Sequence, residues 1–350
     1  MGYYVDKNID ALYRIDNDLV RNGYLRLDMN ENPVGLPEDF VDRIRERITP
    51  AFLSEYPNVH PFLETYSKHI GLPEECIRPT NGSDMGIRMI YEVFGRKGSK
   101  TVSVSPSFEM YRIYAEMFGM EHDLIRYHSD LSYPTEEMLD AINDDTSIVV
   151  LLNPNNPIGD LIPMDDIVRI VEKARDKGAI VVIDEAYHYF CDSTCIDLIG
   201  RYDNVIVLRT FSKIFSMAAA RLGVVLSNKR IIDILFKAQP SFDVNSFALM
   251  IGKAVLEENV LEGLKKEFFE GKEFIEGWFS DNGYEIIRSN GNYMSFRPHT
   301  DVKSLSERFK ERMVLVKTYS DPILSEYIRI TIGNRETMER FTGILKELDR

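Results

Sequence analysis

Several features that would send a reading elsewhere are missing from this 350-residue sequence. No stretch approaches the roughly 18 uninterrupted apolar residues that a bilayer-crossing helix needs. The start, MGYYVDKNIDALYRIDNDLV, has no cationic segment leading into an apolar core. A membrane partner is not expected, and a cytoplasmic protein is. Positive charge is in deficit, 42 Lys and Arg against 56 Asp and Glu for a net charge of −14, and a surface of that sign repels nucleic-acid phosphates and anionic headgroups. Cysteine is scarce and odd in number: Cys76, Cys191 and Cys195 suit a reducing compartment better than a disulfide framework. Cys191 and Cys195 lie near His188, but a zinc site takes about four ligands and no clear fourth is close by, so no metal is expected. There is no Walker A run and no G-x-G-x-x-G, which argues against a nucleotide or dinucleotide.

What is present is an ordinary globular composition, 44% apolar and 28% charged, long enough for a substantial core and two domains. Between residues 80 and 230, β-branched runs at Thr101–Val104, Ile148–Leu152, Ile180–Ile183 and Val205–Leu208 alternate with helical periodicity such as Met164–Lys177. That order predicts an α/β fold, a mostly parallel central sheet with helices on both faces, whose ligands lie at the carboxyl ends of the strands. After about residue 230 the texture changes to charged helical segments at Val260–Phe279 and Leu305–Arg312, with short strands at Tyr293–Phe296 and Tyr327–Ile330. The expected division is an N-terminal segment, 1–40, packing with the small domain, a large domain, 41–235, and a small α+β domain, 236–350.

Chemistry concentrates at a few turns. After the Val205 strand, Thr210 and Ser212 flank Lys213, and Arg221 follows eight residues later. A lysine used as a Schiff-base nucleophile must lose its proton near neutral pH, which burial and nearby cations favour. Arg221 and the hydroxyls suit a phosphate monoester. A solvated lysine at a strand-to-helix turn is the plain alternative. Asp184 ends an apolar strand, placed to pair with a pyridinium N–H, with Tyr187 three residues on; it also reads as a helix N-cap. Gly82-Ser83-Asp84 opens the run Ile87, Met89, Ile90, Val93, Phe94, and the free N–H groups there make either an anion site or an ordinary cap. Phe108 and Tyr111 offer an aromatic face for a flat ring, or core packing. Asn156 stands in a double Asn-Pro turn. Arg329 lies in an apolar strand, where an inward guanidinium needs an anion and an outward one needs only water.

Taken in order, these features resemble the fold-type I aminotransferases, and most closely the histidinol-phosphate aminotransferases. The likeness runs from Leu27-Asp-Met-Asn-Glu-Asn-Pro33-Val-Gly35 through Ser54-Glu-Tyr56-Pro, Asn-Gly-Ser-Asp, Asn-Pro-x-Asn-Pro-x-Gly, Asp-Glu-Ala-Tyr and Ser-Lys to Arg-Ile-Thr-Ile-Gly. The resemblance implies a pyridoxal 5'-phosphate enzyme with residues 41–235 as its cofactor-binding domain. It implies Lys213 as the Schiff-base lysine and proton shuttle, Asp184 on the pyridine nitrogen, and Asn156 and Tyr187 on the ring hydroxyl oxygen. Gly82, Ser83, Asp84, Thr210, Ser212 and Arg221 would hold the phosphate. Phe108 would stack on the ring, where the family often has Tyr. Tyr56 would reach the cofactor phosphate of a neighbouring subunit, implying a homodimer with shared sites. Arg329 would bind the substrate's anionic end, aided by the loop from Asn30 to Gly35. Lys317 stands where the family usually has an arginine; a point charge replaces a planar fork, which weakens an imidazole assignment and keeps an anionic, phosphorylated substrate in view.

Two rivals share parts of this pattern. Decarboxylases of phosphoserine or phosphothreonine resemble the same family and differ in which bond at the substrate α-carbon is broken. A cofactor-sensing regulator would need a DNA-binding segment, and only about 26 residues precede Leu27, too few for one.

Overall fold

The computed structural model describes residues 2–13 and 20–350, so residues 1 and 14–19 of the expected N-terminal segment lie outside what is described. Seven strands form the large sheet, in the spatial order Ile77–Asn81, Leu222–Ser227, Val205–Thr210, Ile180–Asp184, Thr146–Leu152, Lys100–Ser105 and Glu121–Arg126. The last five pair in parallel, and Leu222–Ser227 runs antiparallel to both of its neighbours. The apolar runs at 146–152, 205–210 and 222–227 are buried at every position. This is what a sheet covered by helices demands, and each buried Val, Ile or Leu side chain there contributes roughly 1.5–3 kcal/mol.

The large-sheet strands expected from the sequence are present, extended by one or two residues at one or both ends, whereas Tyr293–Phe296 is present as expected and the strand expected at Tyr327–Ile330 runs one residue later, Ile328–Thr331. Three others escaped the pattern. Ile77–Asn81 carries Pro79, tolerable because the strand lies at the sheet edge. Glu121–Arg126, at the opposite edge, is polar and buried nowhere along its length. Leu222–Ser227 follows Arg221 directly, with no turn residue to announce it.

The C-terminal part builds a four-stranded antiparallel sheet, Lys317–Thr318, Ile328–Thr331, Tyr293–Phe296 and Ile286–Ile287, flanked by the helices Val260–Asp281 and Arg335–Leu348. The helix Ser246–Glu257 packs on His60–Ile70 and the Leu222–Ser227 strand, on the side of the large sheet. The N-terminal segment divides its contacts. Leu25–Arg26 pairs in parallel with Val314–Leu315, whereas the helix Lys7–Ala11 lies against Met110–Met117 of the large part. Among the described residues no helix is long and apolar enough to cross a membrane, and no group of three or more His, Cys, Asp or Glu is placed to hold a metal ion.

Candidate active site

Parallel strands end together, so the residues just beyond their carboxyl ends share one edge of the sheet. Asp184 closes one strand, Thr210 its neighbour, and Gly82 follows Asn81 across the antiparallel strand that Arg221 precedes. A cavity of about 360 Å³ opens at this edge. Lys213, Asp184, Tyr187, Asn156 and Phe108 line it, together with Ser83, Asp84, Thr210, Ser212 and Arg221.

The floor is built for an anion. Gly82 has φ +73°, and a Cβ there would stand 2.5 Å from Arg221 Nη2, so only glycine lets the guanidinium approach the turn. Gly223 does the same from the other side, since its Cβ would lie 2.2 Å from the Ser83 nitrogen. The helix Gly82–Phe94 starts without a side-chain cap; the Gly82 N–H donates to the Arg221 carbonyl at 3.1 Å, and the N–H groups of the residues that follow are left for an anion. Arg221 itself takes a left-handed backbone, φ +60°, and donates Nη1 to the Ala218 carbonyl at 3.1 Å. Thr210 Oγ1 accepts the Ser212 N–H at 3.1 Å, which fixes the turn before Lys213. Free helix N–H groups, a guanidinium and three hydroxyls are the donor set a phosphate monoester takes.

Asp184 is buried, and burial pushes its carboxyl up to about 6 against the pull of two donors. These are the Tyr111 hydroxyl, 2.7 Å from Oδ2, and the Ala186 N–H, 3.0 Å from Oδ1. The second contact spans a tight turn and a short 3-10 segment follows, so Asp184 does not cap an α-helix. A flat heterocycle with a ring N–H fits between this carboxylate and the phosphate-type floor, with Phe108 on the wall. The residues present therefore fit pyridoxal phosphate.

Lys213 is half-buried and donates Nζ to the Met29 carbonyl at 3.1 Å. Desolvation, then the Arg329 charge, lower it to about 8, opposed by Glu31 and Asp184. A substantial fraction of the amine is thus neutral near physiological pH, as a nucleophile requires.

Behind the lining residues Asn156 and Tyr187 the arrangement is different. Arg329 is buried at 4% exposure and already engaged. Its Nη1 donates to Asn156 Oδ1 and to the Tyr319 hydroxyl, both at 2.7 Å, and Nη2 donates to the Asp28 carbonyl. Only Nε lacks a partner. Asn156 spends its oxygen on Arg329, which leaves its amide N–H groups for a ligand. Tyr187 accepts from Asn30 Nδ2 at 3.0 Å, and Asn30, with φ +56°, is fixed by its own N–H on Thr331 Oγ1. The strap that carries Asn30 is therefore stitched to the small sheet.

Gly82, Asn30 and Arg329 adjoin the lining through Ser83, Tyr187 and Asn156 without forming part of it, and three further expected site residues stand apart. Gly35 does not line the cavity; its loop sends Met29 and Glu31 there instead. Tyr56 is 77% exposed and stacks on Phe242 at 4.2 Å, outside this cavity. Lys317 is exposed, opposite Arg329 in the strand register, with the Tyr319 ring 5.9 Å from its Nζ and 5.8 Å from the Arg329 guanidinium carbon. Sequence reasoning missed what Tyr111, Glu31 and Tyr319 do. The first had a signal, an aromatic three residues after Phe108; the others had none.

Comparison with known proteins gives a consistent result. The family described as "Aminotransferase class I and II" matches residues 22–345. The histidinol-phosphate aminotransferase of Clostridium novyi is 30% identical over 317 residues, covering 89% of this chain and 88% of its own. That of Caldanaerobacter subterraneus subsp. tengcongensis is 31% identical over 328 residues, covering 92% of each. Among solved structures, the histidinol-phosphate aminotransferase of Sinorhizobium meliloti in complex with pyridoxal-5'-phosphate superposes with a TM-score of 0.89 at 20% identity, over 99% of this chain and 97% of that one, a likeness of fold.

Proposed function

The chain belongs to the class I and II aminotransferases, and from that premise we propose that it uses pyridoxal phosphate to move an amino group to or from a small phosphorylated amine of the histidinol-phosphate kind, with an amino acid such as glutamate as donor. The observation that carries this reading is the single cavity in which a lowered lysine, a buried carboxylate and an anion floor converge. Curated relatives of that name, matched along nearly their whole length, support the substrate class.

When bound, the cofactor supplies an aldehyde for the amine and a ring that takes up the electron pair freed at the substrate α-carbon. The protein's residues do the rest. Arg221, Ser83, Ser212, Thr210 and the Gly82 turn with Asp84 would hold the phosphate, and Phe108 would cover one face of the ring. Asp184 would keep the ring nitrogen protonated, its burial having been prepared for a cationic partner. Tyr187 and the Asn156 amide would donate to the ring hydroxyl oxygen. Lys213 Nζ would anchor the cofactor and, once displaced by substrate, take the proton from the α-carbon and return it on the other side of the exchange. Arg329 would receive the anionic end of the substrate through its unpartnered Nε–H, with Lys317 at the rim.

The exposed Tyr56–Phe242 pair supports a homodimer in which Tyr56 completes the phosphate site of the second copy. A cytoplasmic location goes with this reading, supported by three unpaired cysteines. The two-part division belongs to it too, with the boundary moved from residue 235 to after Glu257, where packing passes from the large sheet to the small one.

The test supplies purified holoenzyme with oxoglutarate and, separately, histidinol phosphate or phosphoserine. Glutamate formed from histidinol phosphate, with no carbon dioxide from either, is the expected result. Carbon dioxide from phosphoserine would replace the reading with the decarboxylase one.

A further inference from the structure

Residues 28–32 form a loop that touches the site at successive positions. The Asp28 carbonyl accepts from Arg329 Nη2 and the Met29 carbonyl from Lys213 Nζ at 3.1 Å. Asn30 Nδ2 donates to the Tyr187 hydroxyl at 3.0 Å, and Asn32 Nδ2 to Ser216 Oγ at 2.7 Å. The chain turns through Asn30 in a left-handed backbone, φ +56°, and Arg21 closes that turn. Its Nη2 donates to Asp28 Oδ1 and its Nη1 to Glu31 Oε1 at 3.0 Å, with Glu31 Oε2 also 3.0 Å from Nη1. The three side chains are 15% to 24% exposed, so water screens their charges incompletely. Arg21 does not line the cavity, it precedes residues 22–345 matched to the family, and the transamination scheme gives it no task.

Its effect on charge reaches the reacting amine. The charged groups acting on Lys213 are Arg329 from the small sheet, Asp184 and Arg221 from the large one, and Glu31 from the loop. The two arginines disfavour the ammonium form, and the two carboxylates favour it. Glu31 lines the same cavity as Lys213 and, with its charge unopposed, would hold the lysine protonated. Arg21 opposes that charge from outside the cavity. One guanidinium on two carboxylates leaves the trio at a net charge of −1, where Asp28 and Glu31 alone would carry −2.

We propose that Arg21 is a positioning residue for Lys213: its guanidinium closes the 28–31 turn at the cavity wall and cancels the Glu31 charge that would otherwise bear on the lysine amine. This rests on the reading of Lys213 as the cofactor-bearing nucleophile and adds the group that keeps it reactive.

The test follows capture of pyridoxal phosphate by the full-length, cofactor-free protein from about pH 6 to about pH 10, read as growth of visible absorbance; the midpoint of the rate profile reports the lysine. Arg21→Gln should raise that midpoint by about 0.5 to 1 pH unit, so that capture at about pH 7 slows roughly threefold to tenfold. Arg21→Lys keeps the charge and should keep the midpoint near that of wild type. Adding Glu31→Gln to Arg21→Gln should bring the midpoint back to wild type or below it. Glu31→Gln alone, with Arg21 intact, should lower it. A purely structural Arg21 would slow capture alike at every pH and leave the midpoint in place. An Arg21→Gln protein with the wild-type midpoint, or a raised midpoint that Glu31→Gln does not reverse, overturns the inference. If Arg21→Gln does not fold, an unmoved midpoint in Glu31→Gln overturns it equally, because the charge then does not act through Glu31. Each of these results leaves the transaminase reading intact. If wild type captures no pyridoxal phosphate, or Lys213→Ala captures it as well, the reading of Lys213 falls and this inference with it.

Discussion

The two ends of the cavity solve opposite problems. The floor, at the carboxyl edge of the large sheet, holds its donors in reserve: an uncapped helix start, an arginine brought against a glycine turn, and a carboxylate fixed by Tyr111. The substrate end has spent most of its hydrogen bonds on itself, with Arg329 shared among Asn156, Tyr319 and the Asp28 carbonyl. A preorganised floor suits a group that stays, because no partner must be exchanged to admit it. A self-satisfied rim suits groups that come and go, because Arg329 is never left as a buried unpaired charge between turnovers.

The comparison breaks most severely at Lys213. Lys213→Ala removes the nucleophile and the proton carrier together, and turnover should fall by at least about 10⁴-fold, measured as glutamate formation. The visible absorbance of the bound cofactor should disappear with it. Retained turnover would show that the floor is not the reacting end. Asp184→Asn is milder. The amide keeps an oxygen for Tyr111 but loses the charge that holds a ring proton, so kcat should drop roughly 100-fold with little change in KM. A fall confined to KM would make Asp184 a packing residue.

A pH titration sharpens the same contrast without altering the protein. Lys213 sits at about 8, lowered by burial and Arg329, and its neutral form is the nucleophile. Capture of pyridoxal phosphate by the cofactor-free protein should therefore speed up about tenfold per pH unit below 8 and level off above it. A rate still rising steeply at pH 10 would mean that Lys213 keeps an ordinary lysine environment.

How much was visible in the sequence follows the same division. The floor is written in local signals: a glycine where φ is +73°, an aspartate closing an apolar strand, a lysine between hydroxyls. Each constraint lies within a few residues of the group it positions, and one sequence carries it. The rim depends on pairings that no local pattern encodes. Asn30 meets Thr331 across 301 residues and Arg329 meets Asn156 across 173, and the one floor contact that escaped, Tyr111 on Asp184, spans 73. The sign of Glu31 was legible and the direction it faces was not, because that is set by Arg21 and by a strap tied to the far sheet. The edge strands escaped for the related reason that polar, half-covered strands have no strong alternation to read.

The smallest expected effect tests the rim most selectively. Tyr319→Phe removes the hydroxyl that accepts from Arg329 Nη1 at 2.7 Å and changes little else, since the ring remains between Arg329 and Lys317. Arg329 is 4% exposed, so without ligand the freed N–H has no water to turn to and the fold should lose about 1 kcal/mol, seen as a lowered Tm. With an anion bound, that same N–H gains an acceptor. Affinity for phosphate-bearing substrates should then rise a few-fold, to about threefold to fivefold, while kcat stays within about twofold. The sign is the informative part. Tighter binding means that Tyr319 competes with the substrate for Arg329 and holds the guanidinium between turnovers. Weaker binding would mean that the hydroxyl, having accepted from Arg329, passes its own proton to the anion and belongs to the substrate's recognition.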